Sequence, residues 1–298
     1  MLAASFIAPQ PVRDLRELTR YRKTLVQERA HEVNRLQQVL ESAHLKLAAV
    51  ATDVLGTSGR AMLEARLGGE QDPTALAELA RGRLRAKLAE LRKALEGRVR
   101  PVQLVQLRVL LAHIDFLESA LAELQEESAR LLGPFAEAVA LAQTLPGVGE
   151  TAASALIAEV GPDMSRFPTH KHLASWAGVC PGNKQSGGKR LSSKTTHGNP
   201  WLRSILAEVA WAIAHTKDTY LAAQFHRLAR RLGKQKAVVA ISHSVLVILY
   251  HMLRDHRPYT DLGPDYFDQL DRQRLERHHV RRLERLGYTV TLTPAFVA

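Results

Sequence analysis

Ser186 stands in the run Lys184-Gln-Ser-Gly-Gly-Lys-Arg190, and Lys194 follows closely. A hydroxyl on a Gly/Ser-rich loop among four cations is suited to approach a phosphate. Two chemistries fit it. The hydroxyl can attack a DNA phosphodiester while Lys184, Lys189, Arg190 and Lys194 stabilise charge on the phosphorus oxygens. Alternatively, it hydrogen-bonds a bound phosphate without reacting, and residue chemistry alone favours this reading. No G-x-S-x-G surrounds Ser186, so it is not a hydrolase elbow. Spacing identifies no base, since the eleven positions to His197 say nothing about distance in space.

Upstream, LPGVG (145–149) leads into ETAASALIAEVG, the form of a helix-hairpin-helix turn. Gly147 and Gly149 permit backbone conformations closed to other residues and a close approach to a ligand, and Gly187 beside the serine is a further expected contact. The first free N–H groups of the following helix favour a phosphate. Downstream, Arg203 lies in a helix expected from Pro200 to Thr216, and Arg227, Arg230 and Arg231 lie close together in one expected from Tyr220 to Leu232. These residues mark an expected nucleic-acid face.

Charge distribution supports that face. The chain of 298 residues carries a formal charge of +11. Between Lys184 and Arg257 there are 13 Lys/Arg against 3 Asp/Glu, while the rest holds 28 against 27. A surplus confined to one segment is the footprint of polyanion binding.

Other reactive residues offer less. The single cysteine, Cys180, excludes an internal disulfide and a CxxC zinc site, and it reads as a small apolar residue. His251 with His256, and His278 with His279, lack a third ligand at a telling spacing and read as surface or capping residues. The carboxylates are scattered, so no metal or other cofactor is expected in this chain. Without a secretory leader the protein reads as cytoplasmic. The apolar run Ala237–Tyr250 is too short, and too interrupted by Ser242, His243 and Ser244, to span a bilayer, so no membrane partner is expected.

The elements that must position these residues are helical. A 46% hydrophobic fraction dominated by Leu, Ala and Val, with 5% aromatics, predicts an aliphatic, mainly α core. Residues 1–11 read as a loose leader. From Val12 to Leu47, Val33, Leu36, Leu40, Ala43 and Leu47 form the seam of a packed helix. A small helix is expected over Gly59–Leu67. Asp72 and Pro73 cap and open another, with Leu84, Leu88, Leu91 and Leu95 as its stripe and Gly97 as its end. Pro101 opens a third, reaching about Leu132, with Leu117, Leu121, Leu124, Ser128 and Leu131 on its seam. Residues 12–135 therefore read as a helical region with an extended, antiparallel coiled-coil arm, and 12–133 as suited to homo-oligomerisation. Residues 136–257 read as a compact helical domain with a helix-hairpin-helix-like element, in which Lys236–Arg254 is the central core helix. Residues 258–298 are a charged extension with a helix near 264–286 and one strand-like run, TVTLT (289–293).

Taken together, LPGVGETAASALIAEVGP, FPTHKHLASWAGVCPGNKQSGGKR, and the Lys194, Gly198-Asn199 and Leu202-Arg203 positions resemble the DEDD-type insertion-sequence transposases of the insertion-sequence one-ten family, whose members use a bridge RNA. RDLRELTRYRKTLVQERAHEVNRLQQVLE resembles the segment before that family's coiled coil. The resemblance implies that Ser186 is the serine that attacks DNA and holds it as phosphoserine. It implies DNA and a guide (bridge) RNA as partners. It also implies an N-terminal RNase-H-like domain supplying three aspartates and a glutamate for magnesium, and this sequence offers no counterpart to those residues. The expectation is a transposase fragment for insertion-sequence DNA transposition and recombination that carries the serine half-site. Magnesium would enter only with an acidic domain supplied separately. The alternatives are a non-catalytic DNA- or RNA-binding relative and a self-associating helical scaffold.

Overall fold

The structure, a computed structural model, describes residues 8–182, 184–192, 194–270 and 272–292, without the side chains of 184, 185, 190, 191 and 273–275. The protein is mainly α-helical, as expected. Its chain divides into two compact units, one formed by residues 17–130 and the other by residues 1–16 with 131–298.

Helix α1 spans Gln10–Ser42. It starts earlier than expected because the Pro9 carbonyl already accepts from the Val12 and Arg13 amides, and Pro11 costs nothing in a first turn. It also stops earlier. His44 turns left-handed at φ 59°, so Leu47 of the expected seam opens a separate short helix, α2 (Leu47–Val50). Next come α3 (Thr57–Leu67) and α4 (Pro73–Glu78). Asp72 accepts from the Thr74 and Ala75 amides, the cap foreseen for it.

The long helix expected after Asp72 does not persist. Gly82 adopts φ 57°, and the chain passes through a 3-10 segment, Gly82–Lys87, into α5 (Leu88–Ala94). Helix α6 runs Pro101–Leu132, as anticipated, and its 32 residues extend about 48 Å at 1.5 Å each. Within the 17–130 unit it lies antiparallel to α1. Arg29 Nε donates to Glu118 at 2.9 Å, Glu32 faces His113 at 3.6 Å, and Gln103 donates to Ser42 Oγ at 2.9 Å. The core of this unit gathers Leu36, Leu40, Met62, Leu76, Leu91, Leu107 and Ile114. Arg66, buried in it, donates to the carbonyls of Gln71 and Gly97 and ties α3 to the segment before α6.

In the other unit, a 3-10 turn at Gly133–Phe135 leads into α7 (Ala136–Gln143), then α8 (Glu150–Val160) and α9 (His170–Trp176). A two-stranded antiparallel hairpin follows, β1 (Lys184–Ser186) and β2 (Lys189–Ser192). Then come α10 (Pro200–Ala214), α11 (Tyr220–Leu232) and α12 (Lys234–Asp255). Short helices α13 (Tyr266–Leu270) and α14 (Arg272–Glu284) follow. The strand expected over TVTLT does not form in its described residues, 289–292, and Thr293 lies outside them. The strands stand instead where a flexible loop was foreseen.

Helix α12 is the central core helix. It packs against α7, α9, α10 and α11, and Ile241, Val245, Leu246 and Leu249 are fully sealed. At 22 residues it is longer than the apolar run suggested, and by length and composition it alone among the described helices could cross a membrane. More than half of its most apolar window is buried inside the protein, which marks it as a core helix.

One buried polar cluster joins three elements of this unit. Glu159, at the end of α8, is 1% exposed. It accepts from Asn199 Nδ2 at 2.5 Å and faces Arg16 Nε at 3.7 Å. Arg16 also donates to the carbonyls of Ala158 and Glu159. Removing one member of such a buried group strands the others. Glu159→Ala should therefore cost about 3 kcal/mol, read as a lowered urea midpoint, with Glu159→Gln costing less.

Candidate functional site

The serine sits at the tip of the hairpin. Its two-residue turn is Gly187-Gly188, at φ 54° and 72°. Positive φ at both central residues defines a type I′ turn, whose twist matches that of paired strands. Ser186 and Lys189 close the turn as direct cross-strand partners. Directly opposed residues project to the same face with Cβ atoms about 5 Å apart. Ser186 and Lys189 therefore share a face, and both are exposed, as are Gly187 and Gly188. Lys184 pairs with Ser192 and Arg190 with Gln185; the side chains of Lys184 and Arg190 lie outside the described residues. No titratable side chain among those described is hydrogen-bonded to the Ser186 hydroxyl.

The root of the hairpin is tightly set. Pro181 bridges Thr195, and the Gly182 amide donates to the Lys194 carbonyl at 3.0 Å. Gly178 and Gly198 cross just below. A Cβ on Gly178 would lie 2.7 Å from Gly198, and one on Gly198 would lie 2.3 Å from the Ala177 backbone. Asn199 then opens α10. Its Oδ1 accepts from the Trp201 and Leu202 amides while its Nδ2 is held by Glu159. In the first turn of α10, Arg203 Nη2 donates to Thr195 Oγ1 at 3.4 Å. With exposed Lys194 alongside, Arg203 adds positive charge at the root, about 15 Å of extended strand from the tip.

The remaining site candidates separate from this group. Gly147 has φ 75°, and a Cβ there would lie 2.8 Å from the Ile213 amide nitrogen. The close approach it permits is to α10 of its own chain. Gly149 caps α8 and is exposed with open space around it. Arg227, Arg230 and Arg231 lie exposed on α11. Arg227 rests 5.1 Å over the Phe267 ring, and no contact of these arginines with the hairpin occurs among the described residues.

Spacing gave no sign of His170 or of where the other histidines go. His170 lies 5.2 Å from His251, ring to ring, and His256 meets Glu137 at 3.3 Å. Tyr250 donates to the Phe167 carbonyl at 2.9 Å beside them. A cavity of about 600 Å³ opens here, lined by His243, His251, Tyr220 and Tyr259. Burial pushes the His243 imidazole below its ordinary pKa, with His170 adding to the shift, and burial also lowers His251. Burial likewise raises the half-buried Cys180 thiol. Among the described residues no group of three or more His, Cys, Asp or Glu could hold a metal. They offer magnesium no donor set.

By architecture this is a helical protein that displays an exposed serine, paired with an exposed lysine, at the tip of a two-stranded hairpin. Residues 139–227, from within α7 to the middle of α11, match the family described as Transposase IS116/IS110/IS902. The matched segment includes the hairpin. The chain is also similar to the pilin gene-inverting proteins of Moraxella bovis and Moraxella lacunata, each 36% identical over 124 residues, which is 40% of this chain and 38% of each relative. It is 30% identical over 122 residues to an uncharacterized 43.6 kDa insertion element IS110 protein of Streptomyces coelicolor, covering 41% of this chain and 30% of that one. The similarity thus spans less than two fifths of the length of these relatives.

Two outcomes follow. Gly198→Ala drives a Cβ into backbone that no rotamer change can move, so it should destabilise the protein by about 2 kcal/mol or more in thermal unfolding. The lowered His243 and His251 pKa values mean that the unfolded state binds protons first as pH falls. Their contribution to stability is complete above the ordinary histidine pKa of about 6.5 and fades as pH falls below it. Urea midpoints compared at neutral and mildly acidic pH should fall on acidification, and His243→Gln should flatten that fall.

Proposed function

We propose that this chain acts in insertion-sequence DNA transposition or recombination, with Ser186 as the nucleophile towards a DNA phosphodiester. The observation that carries the proposal is an exposed hydroxyl, in register with Lys189, inside the segment that matches a transposase family. In the proposed step the Ser186 Oγ–phosphorus bond forms as a bridging phosphorus–oxygen bond of the strand breaks. The proton lost by the hydroxyl is taken up by the departing strand end. The link remains a phosphodiester, so a second strand end can reverse the exchange with no external energy source. Lys189, opposite Ser186 in the register, supplies positive charge that stabilises the phosphorus oxygens as charge develops. Lys194 and Arg203 are suited to hold the flanking strand. Magnesium and the acidic residues that bind it enter with a separate domain, and a guide RNA is the proposed second partner.

The test mixes the chain with such a domain, magnesium, guide RNA and element-end DNA. The wild type should form a covalent protein–DNA adduct on denaturing gels, and Ser186→Ala should abolish it. An adduct of wild-type yield from the alanine variant would overturn the nucleophile role. The lack of a metal-holding group among the described residues favours a second reading, a non-catalytic binder of DNA or RNA. That reading expects salt-sensitive binding without an adduct under any condition.

A further inference from the structure

The balance of charge outside residues 184–257 hides a second concentration. Residues 81–100 hold eight Lys/Arg against two Glu. They belong to the 17–130 unit and lie outside the segment that matches the transposase family. The left-handed Gly82 turns the chain into the 3-10 segment.

A cavity of about 650 Å³ opens beside this segment, with Arg81, Arg83 and Lys87 on its lining together with Thr52, Thr57 and Ser58. Neighbouring cations are neutralised. Arg85 and Arg92 both pair with Glu78, at 3.5 and 3.2 Å. Arg81, Arg83 and Lys87 are exposed, and among the described residues no carboxylate pairs with them. Three unpaired cations around one concavity repel one another, and an arriving anion relieves that repulsion. Asp53 also lines the cavity, with its Oδ1 accepting from the Leu55 amide at 2.9 Å. Three cations against this one carboxylate leave the lining net positive.

Hydroxyl donors complete the lining. Ser58 Oγ accepts from the Arg81 amide at 2.9 Å, which leaves its own proton to donate. The turn carrying Thr57 and Ser58 is folded hard over Val54, where a Cβ on Gly59 would lie 2.2 Å from the Val54 carbonyl oxygen. No aromatic ring lines the cavity on which a base could stack.

We infer that this cavity is a second nucleic-acid site, one that grips the phosphodiester backbone of a strand through Arg81, Arg83 and Lys87 without reading its bases. The site does not depend on the Ser186 chemistry, because binding is what it predicts and strand transfer is not.

The test compares the full chain with the triple variant Arg81→Gln/Arg83→Gln/Lys87→Gln and with the control Arg85→Gln/Arg92→Gln. Binding is measured over a salt series with a short single-stranded RNA and, separately, a short duplex DNA. The triple variant should lose roughly 10-fold or more in affinity at low salt for at least one strand type. Its slope of log K against log salt should fall by roughly 2 for the single strand or 2.7 for the duplex. The control should keep both, and the arm that responds tells which strand the site takes. If the triple variant melts early, the single change Arg83→Gln at an exposed side chain should still lower the slope by roughly 0.7–0.9. Slopes and affinities equal to wild type in both arms, or a wild type that binds neither strand, would overturn the inference. An unchanged Ser186 adduct with lost binding here would leave it standing.

Discussion

The Glu159 carboxylate is the constraint on which the serine-bearing part of the molecule depends. It is almost fully buried at the end of α8, and a buried charge is tolerated only where its neighbours satisfy it. Arg16 meets it from α1 and the Asn199 amide from the start of α10. The Asn199 amide can face only one way under this arrangement, with nitrogen towards Glu159 and oxygen over the first amides of α10. One side chain thus caps a helix and reports to a buried charge. The place where α10 begins is fixed, and with it the strand that leads there.

Everything above that point is backbone held against backbone. Gly178 and Gly198 pass with no room for a methyl group, Gly182 meets Lys194, and the hairpin rises from this crossing. Support of this kind suits a reactive group that must be exposed. A hydroxyl on a free loop would lose conformational entropy on meeting a strand, whereas one on a paired hairpin has already lost it.

Long-period signals were legible in the sequence. Helix α6, the Asp72 cap, the Asn199–Pro200 helix start and the core role of α12 all follow from spacing and capping chemistry that act within a few residues. What the sequence did not disclose depends on distant partners. The Gly187-Gly188 pair reads equally as slack loop or type I′ turn until strands pair on either side. Gly147 reads as a ligand-facing glycine until Ile213 is found against it. The stripe from Leu84 to Leu95 has helical spacing, yet one left-handed glycine at 82 divides the run. His170 and His251 are far apart in the chain and meet only through the packing of α9 on α12.

A paired hairpin also separates reach from orientation. Strand residues alternate sides, and here the ladder already takes in one odd residue, at an irregularity between the Lys184–Ser192 and Gln185–Arg190 pairs. The Ser186–Lys189 pair lies on the tip side of it and keeps its partner. Lengthening both arms by two would carry that pair about 7 Å farther out with its facing unchanged.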